Sequence, residues 1–129
     1  MSNKKNRCIF CDTEKLDIIL KNHLCYAIFD KYPVNRGHML IVPFRHFWSF
    51  FDATREEVLA IHELISQARV FLDREFSPAG YNIGVNVGQI AGQTIMHLHI
   101  HLIPRYEGDI RNPRGGVRGV IPSRRIYPF

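Results

Sequence analysis

Gln93-Thr94-Ile95-Met96-His97-Leu98-His99-Ile100-His101-Leu102-Ile103-Pro104 is the stretch whose reading decides the fold. Three of the seven histidines stand here at every second position, with Leu98, Ile100 and Leu102 alternating with them. Alternation with a period of two is the signal of a half-buried β-strand. Successive side chains of a strand point to opposite faces. The spacing therefore predicts a strand that turns its aliphatic residues into a core and groups His97, His99 and His101 on the other face. Three imidazoles in a row suit a plain sheet surface poorly, because aromatic and β-branched residues pack better there. Reach argues against one ion held by all three. At about 3.3 Å per residue the outer two rings lie roughly 13 Å apart along a straight strand, whereas zinc–nitrogen bonds are about 2 Å. The three rings are expected to have different roles.

Working outward, Gly88-Gln89-Ile90-Ala91-Gly92 makes a glycine-bearing loop before this stretch. Residues 81–87 read as another strand, with Tyr81, Ile83, Val85 and Val87 on one face and Asn82, Gly84 and Asn86 on the other. Residues 24–30 and 38–43 read as two more strands. The Pro- and Gly-punctuated turn between them, Tyr32 to Gly37, is short enough to predict an antiparallel pair. One long helix is expected between the second and third of these strands. Thr54 followed by Glu57 is a capping-box pattern. Val58, Ile61, Ile65, Ala68 and Leu72 form the expected apolar stripe. Pro78 ends the helix near Phe76-Ser77. Strands joined mostly by turns, with one long helix, read as α+β with a mainly antiparallel sheet.

The chain of 129 residues, 46% hydrophobic and 22% charged, has the composition of one ordinary globular domain over residues 1–129. No apolar run approaches a membrane span, and the polar start, residues 1–7, lacks a signal peptide's apolar core. A cytoplasmic protein with a frayed start is expected, with no membrane partner. The net charge of +5 makes an anionic ligand plausible. Arg105, Arg111, Arg114, Arg118, Arg124 and Arg125 crowd the end of the chain, where Pro and Gly predict an irregular basic tail over 106–129. No aromatic–basic interleaving of the RNA-recognition type is present, so nucleic acid is not the expected partner. Cys8-Ile9-Phe10-Cys11 is either a metal knuckle or a redox motif, and spacing alone does not decide between them. Cys25, among Leu24, Tyr26, Ala27 and Ile28, reads as a small buried residue.

The His-x-His-x-His run directly after Gln93-Thr94, together with Asp30, the Gly37-His38 pair and Asn86, resembles the signature of the histidine triad family of nucleotide hydrolases and transferases. The similarity runs from about Cys8 to Arg105. It implies an α+β fold with a mainly antiparallel sheet of about five strands, one long helix and a short N-terminal helix. It further implies a homodimer and a nucleotide substrate cleaved at its α-phosphate. A dinucleoside polyphosphate such as diadenosine tetraphosphate, or a nucleoside phosphoramidate, is the implied class. The chemistry is sound on general grounds. A neutral imidazole with one nitrogen free and the other held protonated is a good nucleophile toward phosphorus. By the resemblance His99 is that nucleophile, His101 bonds the transferring phosphate and leaving oxygen, and His38 supports the triad from the neighbouring strand. Asp30 is the implied ribose ligand and Ile28 lines the base pocket. Asn86 and Gln93 hold phosphate oxygens with Thr94 beside them. A subset of the family pairs a Cys-x-x-Cys with two histidines around zinc. Here that set is Cys8, Cys11, His46 and His97, a closed and structural type of site. Other members lack the cysteines and use no metal. The competing class is a non-enzymatic purine-nucleotide-binding or interaction module stabilised by zinc.

Overall fold

The computed structural model describes residues 8–128, so the expected frayed start at 1–7 lies outside the described residues. Five strands form one sheet: β1 (Leu20–Lys21), β2 (Cys25–Phe29), β3 (Met39–Pro43), β4 (Gly80–Val85) and β5 (Ile100–Arg105). Their order across the sheet is β1-β2-β3-β5-β4, and every neighbouring pair is antiparallel. One long helix, α1 (Arg55–Phe76), lies between β3 and β4 in the chain. The architecture is α+β, as expected. The short N-terminal helix is a single 3-10 turn, Thr13–Lys15.

The pleat divides the core in two. Cys25 and Ala27 of β2, Met39 and Ile41 of β3, and Ile100 and Leu102 of β5 face α1. Tyr26, Ile28, Leu40 and Val42 face the other way and meet Phe10 of the N-terminal segment. His101 pairs across the sheet with Leu40 on one side and Gly84 on the other. It therefore stands on the face away from the helix.

Helix α1 starts where the capping box predicts. Thr54 Oγ1 accepts from Glu57 N–H at 3.1 Å, and Glu57 Oε1 accepts from Thr54 N–H at 2.9 Å. It ends on Ser77 in the left-handed region, at φ 51°. The buried stripe is Glu57, Ala60, Ile61, Leu64, Ala68 and Leu72. This corrects the expected stripe. Val58 is exposed and Ile65 only half buried, because the helix is rolled toward the side on which Glu57 meets Arg45.

The histidine-bearing strand is shorter than its alternation predicts. Pairing begins at Ile100, and His97 lies in a bend. Pro43 has no N–H to continue the ladder. Its carbonyl takes the His97 ring at 2.8 Å, and Leu98 N–H turns to Phe47 O at 2.7 Å. Asn86 likewise falls one residue beyond β4.

Past Arg105 the basic tail makes two 3-10 turns, Gly116–Val120 and Pro122–Arg124. Guanidinium groups of Arg114, Arg118 and Arg125 cross-brace it by donating to main-chain carbonyls. Gly115 has φ +89°, and a Cβ there would overlap the Arg125 carbonyl. Among the described residues no helix is long and apolar enough to cross a membrane.

Candidate functional site

Each of the three alternating histidines has a different environment. His97 is fully buried and its Nε2–H donates to Pro43 O at 2.8 Å. That bond leaves the lone pair on Nδ1. Cys8 Sγ lies 3.3 Å from this nitrogen, Cys11 Sγ 3.5 Å, and His46 Nδ1 3.1 Å. Cys11 Sγ is 3.2 Å from His46 Nδ1. Burial, against the pull of the Pro43 carbonyl, lowers the His97 pKa to about 4. Its neutral ring is the form a metal needs.

Four soft donors that converge with their lone pairs on one point repel unless a cation or protons sit between them. With bonds of about 2.3 Å to sulfur and about 2.05 Å to nitrogen, an ideal zinc tetrahedron has edges of roughly 3.3 to 3.8 Å. Four of the six separations, 3.1 to 3.5 Å, are close to that, and all six lie within 4.8 Å. The set Cys8, Cys11, His46 and His97 is compatible with zinc in geometry and in donor type.

His99, only 9% exposed, donates Nδ1–H to the His97 carbonyl at 2.8 Å. Its Nε2 carries the lone pair. His101 is set by a longer chain of bonds. Val34 N–H donates to His38 Nδ1 at 3.1 Å, so the proton of the His38 ring is on Nε2. That nitrogen is 2.9 Å from His101 Nδ1 and 3.4 Å from Asp30 Oδ2. His101 Nδ1 therefore accepts, and its own proton is on Nε2. Asp30, His38 and His101 also stand close enough to be considered as metal ligands. The Val34 amide argues otherwise, since a metal on Nε2 would leave the His38 ring without a proton. Burial lowers the pKa of His38 against the opposing charge of Asp30. Burial first, then the neighbouring His99 and His38, lowers that of His101 to about 4. Burial thus favours the neutral form of both rings.

Beside this cluster is a largely apolar cavity of about 390 Å³. Buried Ile28, Leu40 and Phe10 line it together with the more exposed Ile9, Asp30 and Tyr32. Asp30 Oδ1 accepts from Tyr32 N–H at 2.8 Å, which leaves further lone pairs on the carboxylate. Asn86 is half buried at the end of β4 and Thr94 is exposed in the loop before the triad. Gln93 is buried beside the same loop. Its amide donates to Trp48 O at 3.0 Å and Ile95 O at 3.1 Å, and accepts from Gly88 N–H at 2.9 Å. Both of its N–H groups are bonded to main-chain carbonyls.

Two neighbours of the site were not legible as such in sequence. Phe10 packs against His97 and His99 with ring centroids 5.8 and 5.2 Å away. Tyr26, fully buried, donates its hydroxyl to Phe10 O at 2.6 Å. The only hint was the position of Phe10 inside the Cys-x-x-Cys knuckle.

Residues 13–108 match the family model described as the HIT domain. An uncharacterized HIT-like protein of Mycoplasma genitalium is 36% identical over 109 residues, covering 81% of this chain and 77% of the relative. The AP-4-A phosphorylase of Mycobacterium tuberculosis is 33% identical over 93 residues, covering 71% of this chain and 48% of that enzyme. Among solved structures, a Zn-bound histidine triad family protein from Mycobacterium smegmatis superposes with a TM-score of 0.75 at 27% identity, covering 84% of this chain and 81% of that one. A match that spans the sheet, the helix and the three differently partnered histidines leads to one conclusion: the chain belongs to the HIT family.

Proposed function

We propose that this protein is a nucleotide hydrolase or transferase that works through a nucleotidyl-His99 intermediate. The observation that carries the reading is the pair of opposite tautomers at His99 and His101. His99 is held with Nδ1–H on the His97 carbonyl, so Nε2 is free to attack. His101 is held with Nδ1 accepting from His38, so Nε2–H is free to donate. One ring offers an electron pair and the other a proton, which is the division of labour phosphoryl transfer needs.

In the first step the His99 Nε2 lone pair attacks the α-phosphorus and the bond to the leaving oxygen or nitrogen breaks. His101 Nε2–H stabilises the charge that develops on the departing group or phosphoryl oxygens. In the second step water, or another acceptor such as inorganic phosphate, displaces His99 and releases the nucleotide. Asp30 takes the ribose hydroxyls at the cavity, whose apolar lining at Ile28 takes the base. Asn86, with Thr94 and the main chain of the loop, holds phosphate oxygens. Zinc on Cys8, Cys11, His46 and His97, when bound, supplies a structural cross-link and no reacting group. A homodimer, as the family resemblance implies, is part of this reading. The M. tuberculosis relative is an AP-4-A phosphorylase, which supports dinucleoside polyphosphates as the first class to test.

The test is a panel of diadenosine tetraphosphate, diadenosine triphosphate and adenosine phosphoramidate, each with and without inorganic phosphate. Wild type is expected to cleave at least one and to yield a quenchable nucleotidyl-protein. His99→Ala is expected to lose turnover by a factor of about 10⁴ or more and to give no adduct. Equal turnover in His99→Ala would falsify the mechanism. Product analysis with phosphate present separates hydrolysis from phosphorolysis.

A further inference from the structure

The knuckle that carries Cys8 and Cys11 also builds the cavity. Its two middle residues, Ile9 and Phe10, line the space assigned to the nucleoside. Phe10 is 3% exposed and stands edge-on to His97 while packing at a tilt against His99. One ring therefore touches a candidate zinc ligand, the candidate nucleophile and the nucleoside cavity. The knuckle is closed by Cys11 N–H on Cys8 O at 3.1 Å, and Phe10 O is held by the Tyr26 hydroxyl at 2.6 Å. Residues 8–12 belong to no strand. The knuckle is anchored by that phenol, by burial of Phe10, and by whatever the two thiols and two imidazoles hold.

We propose that the knuckle couples the metal to the nucleotide, with Phe10 as the positioning residue. Zinc on Cys8, Cys11, His46 and His97 sets Phe10 as a cavity wall and as a buttress for the His99 ring. A nucleotide filling the cavity presses on the same wall and holds the thiols in their liganding positions. This rests on the nucleotide reading given above. Coupling between two sites is reciprocal by linkage, and values of about 5- to 150-fold are typical. Because the shared element is one packed side chain, a factor of about ten in each direction is expected.

The experiment uses the full chain loaded with zinc. A chromogenic chelator is titrated against it, with and without saturating AMP or GMP, and calorimetry measures binding of the same two nucleotides. Zinc is expected to be retained about tenfold more tightly when nucleotide is present. The variant Phe10→Ala is expected to keep one zinc per chain, to bind nucleotide about tenfold more weakly, and to lose the coupling, its factor falling to about one. Tyr26→Phe is expected to lie between the two. Nucleotide binding with no effect on zinc retention overturns the coupling and leaves the nucleotide reading standing. A zinc-loaded chain that binds neither AMP nor GMP overturns both. Should Phe10→Ala fail to fold, Phe10→Leu keeps the burial and changes the wall, and an undiminished coupling factor there also counts against the inference.

Discussion

The proton on His101 is fixed from two residues away. A main-chain amide, Val34 N–H, occupies His38 Nδ1 and forces the His38 proton to Nε2, which then claims His101 Nδ1. If His101 donates during the reaction, cutting this chain of bonds damages the chemical step more than binding. His38→Ala is expected to lower kcat by about 10²-fold, the low end for general acid–base effects, with KM changed less than threefold. Steady-state kinetics on the best substrate of the panel checks this split. The same burial has a stability consequence. The folded-state pKa of His101, about 4, lies below the usual value near 6.5. Between these two values the unfolded chain binds more protons than the folded one, so stability is full above about pH 6.5 and is lost as pH falls toward 4. The loss has an upper bound of about 3 kcal/mol and is reduced by screening at the part-exposed ring. Urea unfolding at pH 7 and pH 4.5 is expected to show a smaller drop for His101→Asn than for wild type. An equal drop in both would mean that His101 contributes nothing to the acid sensitivity.

At the scale of the element, the start of α1 concentrates several interactions in one residue. Glu57 accepts from Thr54 N–H and receives Arg45 at 2.7 and 3.1 Å while itself 4% exposed. The hydrogen bonds of Arg45 hold its carboxyl below the usual pKa, so it stays charged although buried. Glu57→Ala removes the cap and a charge-assisted pair, and Arg45, itself half exposed, regains water. The expected loss is about 3 kcal/mol, or about 10 °C in Tm for a chain of this size, read by calorimetry against Val58→Ala as a surface control. Half of this was legible in sequence. Thr54 and Glu57 announce a capping box by spacing alone, but nothing in the sequence marks Arg45 as the third member. The same limit governs the triad. Alternation correctly put Leu98, Ile100 and Leu102 in the core and the histidines elsewhere. It could not show that Pro43 stops the ladder and gives its carbonyl to His97, because that contact joins residues 54 apart. Nor does spacing mark the bonds that the Gln93 amide makes to Trp48 O and Ile95 O, the first of them 45 residues away in the chain.

For the whole molecule, the question is how much of the fold depends on the metal. The helix-side core contains none of the four candidate ligands and joins α1 to β2, β3 and β5, with partly buried residues of β1 and β4 packed against it. It is expected to persist without zinc. The candidate site instead ties three segments that are distant in sequence: the knuckle at Cys8 and Cys11, the loop after β3 at His46, and the approach to β5 at His97. Cys8 and His97 are 89 residues apart. Closing a loop of that length in the unfolded chain is worth about 4 to 5 kcal/mol in the chain-entropy model used for cross-links. Removing zinc is therefore expected to lower Tm by about 10 to 15 °C while the far-ultraviolet circular dichroism at 25 °C is retained. Cys11→Ser, which cannot supply a thiolate, is expected to match the chelated wild type and to show no further fall when chelator is added. The comparison discriminates between two views of the knuckle. If it is a redox pair and not a metal ligand set, chelation leaves Tm unchanged, whereas a reductant shifts it. If it is the zinc cross-link, the chelator shifts Tm in wild type alone, and metal analysis returns about one zinc per chain before treatment.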